Sequence, residues 1–176
     1  MGYSGGTLKN PTYYSLGDHS ETLQIDYDPS QISYAQLLAI FWAAHRPQDQ
    51  SGSRQYRNVI FYLNEEQKRL ALETKDQIKG KVHGRVFTEI LPAAEFYPAE
   101  DYHQKYYLRG ESFMLKEFKA IYPKEIDFVN STAAARVNGF MGGYGDLELL
   151  KTEVNLYGLS AATQKRLIDL ASSRRR

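Results

Sequence analysis

His19 and Glu21 stand two residues apart at the entry to an alternating stretch, so a strand there points both side chains to one face. A histidine and a carboxyl on one face are the groups that general acid–base chemistry uses. The same pair also serves as a cap or as solvated surface, and spacing leaves these readings open. Upstream, Tyr13 follows Asn10-Pro11-Thr12, a Pro-stiffened turn that fixes the direction of the tyrosine, with core packing as the competing role. Ahead of both lies Gly2-Tyr3-Ser4-Gly5-Gly6, a glycine turn of the kind that places backbone where side chains cannot follow. A second cluster, Glu100, Asp101 and His103, is rich in titratable groups. Its Asp101 and His103 are two apart on an expected helix and do not share a face. His19, His45, His83 and His103 lack the spacing of a helical His pair or a facial triad, so no metal site is expected.

The elements that must position these groups follow from periodicity. Residues 22–27 alternate polar and apolar, a half-buried strand that Asp28-Pro29-Ser30 closes. Ser33 caps a helix whose apolar face is Tyr34, Leu37, Leu38, Phe41 and Trp42. Residues 45–54 turn polar and read as a loop. Val59-Ile60-Phe61-Tyr62-Leu63 is a continuous apolar strand. Asn64 followed by Gln67 resembles a capping box, opening a helix that runs to about Lys79 before Gly80. Residues 86–91 give a further strand, and residues 99–108 a short helix carrying Glu100, Asp101, His103 and Tyr106. Beyond Gly110 the pattern is helical. Phe113, Met114, Phe118 and Ile121 mark a helix ending at Pro123, followed by residues 132–137, 147–156 and 161–171. The expected fold class is α/β (α+β), a two-layer mixed sheet with helices in residues 1–110 and a helical C-terminal extension in residues 111–176.

A chain of 176 residues, 42% apolar and 24% charged, has the composition and length of an ordinary globule. Its net charge of +1 argues against broad nucleic-acid binding. No run approaches the roughly 18 apolar residues of a membrane span. Neither nucleic acid nor membrane is an expected partner. The basic Arg174-Arg175-Arg176 reads as a solvated end. The chain contains no cysteine, which removes disulfides, thiolate ligands and a cysteine nucleophile from what these residues can do by themselves. Phosphate-loop and dinucleotide patterns are missing too, since Gly139-Phe140-Met141-Gly142-Gly143 has no strand ahead of it.

The pieces occur in an order that is itself informative. Gly2-Tyr3-Ser4-Gly5-Gly6 is followed by Asn10-Pro11-Thr12-Tyr13, the stretch from Gly17 to Glu21, and Tyr27-Asp28-Pro29. Then come Phe41-Trp42 with His45 and Pro47, Gln55-Tyr56-Arg57, Thr88-Glu89-Ile90, and Phe96-Tyr97-Pro98-Ala99-Glu100-Asp101-Tyr102-His103. Together they resemble the peptide methionine sulfoxide reductases of the A type. The resemblance covers residues 2 to 108 and implies a ferredoxin-like core. In that family a cysteine thiolate attacks the sulfur of methionine sulfoxide, a glutamic acid protonates the departing oxygen and two tyrosines hydrogen-bond it. The resulting sulfenic acid is resolved as a disulfide that thioredoxin reduces.

Carried over by position, Glu21 matches the acid, and Tyr13 and Tyr56 match the oxygen-binding tyrosines. His19, Glu100, Asp101 and His103 match supporting positions. The resemblance implies no cofactor, oxidised protein or free methionine sulfoxide as partner, and thioredoxin as reductant of an intact member. The expected compartment is the cytoplasm, or the mitochondrion if a leader precedes this sequence. Several family features have no match here. They are the Gly-Cys-Phe-Trp-Gly segment with the nucleophile and its apolar wall, the resolving cysteines after Tyr106, and the Gly-Asn-Asp segment before Gln55. Asp49 is the only stand-in for the loop aspartate. Two principal readings follow. One is a reductase-family sequence shown without its first strand and helix, leaving a sheet edge uncovered. The other is a non-catalytic relative that keeps the oxygen pocket as a binding or regulatory module. A purely structural role is a third. All three expect no reductase turnover from the chain as written.

Overall fold

The computed structural model describes residues 1–174; Arg175 and Arg176 of the basic terminus lie outside the described residues. Contacts divide the chain into two compact units, Met1–Glu100 and the part that begins at Asp101. The fold is α+β, with strands and long helices in the first unit and helices throughout the second.

The first unit holds strands β1 (Gly2–Ser4), β2 (Ser20–Thr22), β3 (Val59–Tyr62), β4 (Glu89–Pro92) and β5 (Tyr97–Pro98), with helices α1 (Tyr34–Ala43) and α2 (Glu65–Lys81). Both pairings of a mixed sheet are present, held in two pieces. β1 lies antiparallel between β2 and β5, and β3 runs parallel to β4. β1, β2, β4 and β5 differ from the sequence reading. Residues 23–27 leave the sheet although they alternate, because the register pairs Thr22 with Gly2 at the end of β1. Leu23 and Ile25 are exposed as a result. β1 itself carries too few residues for alternation to show. Phe87 does not extend β4; its N–H goes to the Pro47 carbonyl at 2.8 Å.

The helices of this unit start where their caps dictate. Ser33 and Gln36 form a reciprocal capping box on α1. Asn64 caps α2 through the Gln67 N–H, while the Gln67 side chain reaches past the cap to the Leu63 N–H. α2 runs through Gly80 to Lys81, with acids in its first turn and lysines in its last, the order that its dipole favours. Leu38 and Trp42 of α1 meet Ile60, Ala71 and Val86 in a small apolar cluster, and the Trp42 indole donates to Thr74 Oγ1 at 3.0 Å.

The second unit contains α3 (Tyr106–Arg109), α4 (Ser112–Ile121), α5 (Glu125–Asn130), α6 (Thr132–Met141), α7 (Leu147–Glu153) and α8 (Ala161–Ser173). The single helix expected over residues 99–108 is instead a 3-10 turn at Asp101–His103 followed by α3. Lys105 separates the turn from α3 by adopting left-handed backbone, φ +51°. α5 was not apparent as a helix. Its Phe128 is fully buried, with the Lys119 ammonium 4.7 Å and the Arg109 guanidinium 5.2 Å from its ring centre, and both cations bind the Glu125 carboxylate. Met114, Phe118, Val137, Leu150 and Leu167 complete a core of fully buried side chains. Arg174 is not a free end: it donates to the Met141 carbonyl at 3.0 Å and pairs with Glu111 at 2.8 Å. Among the described residues no helix is long and apolar enough to cross a membrane.

Candidate functional site

β1 leads into the glycine turn, and the turn tolerates nothing larger. Gly5 has φ +82°, and a Cβ there would lie 2.4 Å from the Phe61 ring; one on Gly6 would lie 2.5 Å from the Asp18 carboxylate. Asp18 accepts the Thr7 N–H at 2.7 Å, and that bond is the main cause holding its carboxyl below the usual range. His19, buried to 1%, braces the same loop. Its Nδ1 accepts the Gly6 N–H at 3.2 Å, which leaves Nε2–H to donate to the Leu8 carbonyl at 2.8 Å. Both ring nitrogens therefore face backbone, and His19 does not form the acid–base pair with Glu21 that alternation allowed.

Tyr13 sits on a tight turn. Thr12 and Ser15 exchange backbone hydrogen bonds, and the Thr12 hydroxyl accepts the Ser15 N–H. Asn10, left-handed at φ +49°, turns the chain into Pro11. Glu100 then fixes the turn to the sheet. One carboxylate oxygen accepts the buried Tyr3 hydroxyl at 2.6 Å and the other accepts the Tyr13 N–H at 3.0 Å. Glu100 thus supports the segment that aims Tyr13.

Glu21 lies in β2 opposite Tyr3. Its N–H donates to the Gln55 carbonyl at 2.9 Å, and its Oε1 accepts the Gln55 side-chain amide at 2.8 Å. The same amide nitrogen donates to the Tyr56 hydroxyl at 3.0 Å, and the Tyr56 and Tyr13 hydroxyls are 3.3 Å apart. Glu21, Tyr13 and Tyr56, far apart in sequence, are therefore brought into one hydrogen-bonded group. Tyr56 is 58% exposed, so the group opens to solvent and a ligand can reach it. The Tyr13 hydrogen bond, with smaller help from slight burial and the Glu21 charge, holds the Tyr56 phenol above the ordinary tyrosine value. Behind it, Ser20 donates to the Arg54 carbonyl at 2.9 Å and accepts from Arg57 Nε at 2.7 Å, tying the segment that bears Gln55 and Tyr56 to β2.

Asp101 and His103 belong to the second unit, where the Asp101 carbonyl accepts the Gln104 N–H and the His103 ring packs against Tyr102 at 4.2 Å. Asp49 lines an open cleft of about 360 Å³ with Arg54, Arg57, Arg85 and Glu89, and neither Glu21 nor the two tyrosines line it. Among the described residues no group of three His, Asp or Glu side chains is placed to hold a metal ion. Sequence reasoning missed Gln55, whose only signal was its place beside Tyr56.

Residues 1–135 match the family model described as "Peptide methionine sulfoxide reductase". A protein of Drosophila melanogaster named peptide methionine sulfoxide reductase is 39% identical over 162 residues, 91% of this chain and 65% of its own length. The peptide methionine sulfoxide reductase A5 of Oryza sativa subsp. japonica is 38% identical over 80% of this chain and 57% of its own. The MsrA of Methanosarcina acetivorans is 43% identical over 61% of this chain and 63% of its own. The chain thus spans rather under two thirds of the length of these relatives. A fly match over 91% of the chain takes in most of the helical part.

Proposed function

The chain belongs to the peptide methionine sulfoxide reductase family, and on that premise we propose that Tyr13, Tyr56 and Glu21 form the oxygen side of a methionine sulfoxide site. The observation that carries this reading is the convergence of two phenols 3.3 Å apart with a carboxyl linked to one of them through Gln55. A sulfoxide oxygen is a strong acceptor with partial negative charge. Phenols donate to it without competing as bases, and a carboxylic acid supplies the proton with which it leaves as water. Reduction also requires two electrons. In the family reaction thiols supply them: the S–O bond breaks, the oxygen departs as water, and two thiols become a disulfide that thioredoxin reduces.

None of the 176 residues is a cysteine. The reductase activity of the family therefore needs a nucleophile beyond these residues, and the chain as written binds the sulfoxide without turning it over. The missing thiol also favours a second reading, a binding or regulatory module that uses the same site. Peptides bearing methionine-S-sulfoxide, methionine or methionine sulfone, titrated against the protein by NMR, test the site. Sulfoxide is expected to bind preferentially, and the preference is expected to vanish in the Tyr13→Phe/Tyr56→Phe double variant. Equal affinity for sulfoxide and methionine would overturn the proposal. An assay with dithiothreitol or a thioredoxin system is expected to show no turnover, and sustained turnover would refute the thiol requirement.

A further inference from the structure

The geometry points to Gln55 as a positioning residue that sets which atoms of the Glu21–Tyr56 pair donate and which accept. Its place in a sulfoxide site rests on the function proposed above, whereas its hold on the two side chains does not. Residue 55 is fixed to β2 twice, through its carbonyl to the Glu21 N–H and through its amide to the Glu21 carboxylate. The side chain is therefore not free to swing. Its Nε2 faces Glu21 Oε1 at 2.8 Å and the Tyr56 hydroxyl at 3.0 Å. An ionised carboxylate only accepts, so the NH2 end of the amide must point toward it, and its two N–H bonds are divided between the two partners.

Two consequences follow. With Oε1 engaged as the acceptor of the amide, Oε2 is the carboxyl oxygen not committed to Gln55. With a lone pair of Tyr56 taken by the amide, the Tyr56 O–H turns outward as a donor, toward Tyr13 or toward a ligand oxygen that displaces the contact between the phenols. Gln55 thus lets an exposed phenol present its hydrogen and not its lone pairs, the orientation that an acceptor ligand requires. An N–H directed at the phenol oxygen also favours the phenolate, opposite in sign to the effect of Tyr13 on the same group.

The test uses protein labelled with 13C at tyrosine Cζ, with the Tyr56 signal assigned by its loss in Tyr56→Phe. In Gln55→Leu, which keeps the bulk and removes the donor, Tyr56 is expected to titrate at higher pH than in the wild type. In Tyr13→Phe it is expected to titrate at lower pH. Gln55→Glu, should Gln55→Leu not fold, replaces the donor by a carboxylate and is expected to move Tyr56 upward again. A folded Gln55→Leu or Gln55→Glu protein whose Tyr56 curve superimposes on the wild type would overturn the proposal. Affinity for a methionine sulfoxide peptide is expected to fall roughly three- to tenfold in Gln55→Leu, the effect of one misdirected hydrogen bond. If the wild type binds no sulfoxide, the functional reading fails, and the tyrosine titration still decides the role of Gln55.

Discussion

The two units hold their side chains by different means. From Asp101 onward the interior is continuous and apolar, with Leu108, Met114, Phe118 and Phe128 all fully buried. Before it, the buried apolar residues fall into two small clusters, one around Trp42 and one around Tyr3. There the side chains that bear chemistry are held by hydrogen bonds: Glu100 beneath Tyr3 and Tyr13, Gln55 between Glu21 and Tyr56, Ser20 between Arg54 and Arg57. Apolar packing is non-directional and settles no hydroxyl's aim. A site built to meet a polar atom needs directional bonds, and the first unit spends its polar residues on them.

The sharpest way to break this contrast is to remove one large side chain from each interior. Phe118→Ala is expected to destabilise the second unit by about 3–5 kcal/mol, and Leu38→Ala the first by about 2–3 kcal/mol, read from urea unfolding. Equal losses would show that the two interiors differ in extent and not in weight.

A polar deletion probes the first unit on its own terms. Glu100→Ala leaves the Tyr3 hydroxyl, in a side chain buried to 1%, without its carboxylate. A loss of about 1–3 kcal/mol is expected, together with a shifted Tyr13 Cζ signal because the Tyr13 N–H loses its acceptor. Loss of stability without movement of Tyr13 would mean that the local turn alone aims the phenol.

The smallest effect tests whether directional bonds matter in the apolar unit as well. Glu117 accepts from the Ser160 N–H and the Ser160 and Thr163 hydroxyls at the start of α8, and these bonds, Thr163 first, hold its carboxyl below its ordinary value of 4.5. A carboxyl depressed by folding contributes in full above its unfolded value, and the contribution disappears as pH falls through the lower folded one. Wild-type stability is therefore expected to decline below about pH 4.5 through this group. Glu117→Gln is expected to flatten that limb and to cost about 1 kcal/mol at neutral pH. An unchanged acid limb would assign the decline to other carboxylates.

Much of this was legible in one dimension. Ser33 and Asn64 announce α1 and α2 because a cap is a contact between near neighbours. The buried spacing of Met114 and Phe118 on α4 is likewise a local pattern. The glycine turn, the Asn10-Pro11-Thr12-Tyr13 turn and Gln55-Tyr56-Arg57 were each visible as pieces, and their order identified the family. What failed was pairing. The alternation of residues 22–27 is real, yet a strand needs a partner in register, and β1 reaches only to the residue that pairs with Thr22. The 3-10 turn before α3 was hidden for a similar reason, since left-handed backbone at Lys105 leaves no mark in the residue type.

The sequence by itself determined which chemical groups are available: two phenols, a carboxyl, an amide beside one phenol, and no thiol. It also determined α1 and α2 through their caps and α4 through its periodic face, each set by residues within a few positions of one another. Only the tertiary structure decided which groups meet. It turned His19 toward the backbone of its own loop and gave Glu21 the Gln55 amide instead. It also set Glu100 under Tyr13. Those contacts join residues separated by many positions, and a hydrogen bond depends on distance and angle, which no spacing along the chain encodes.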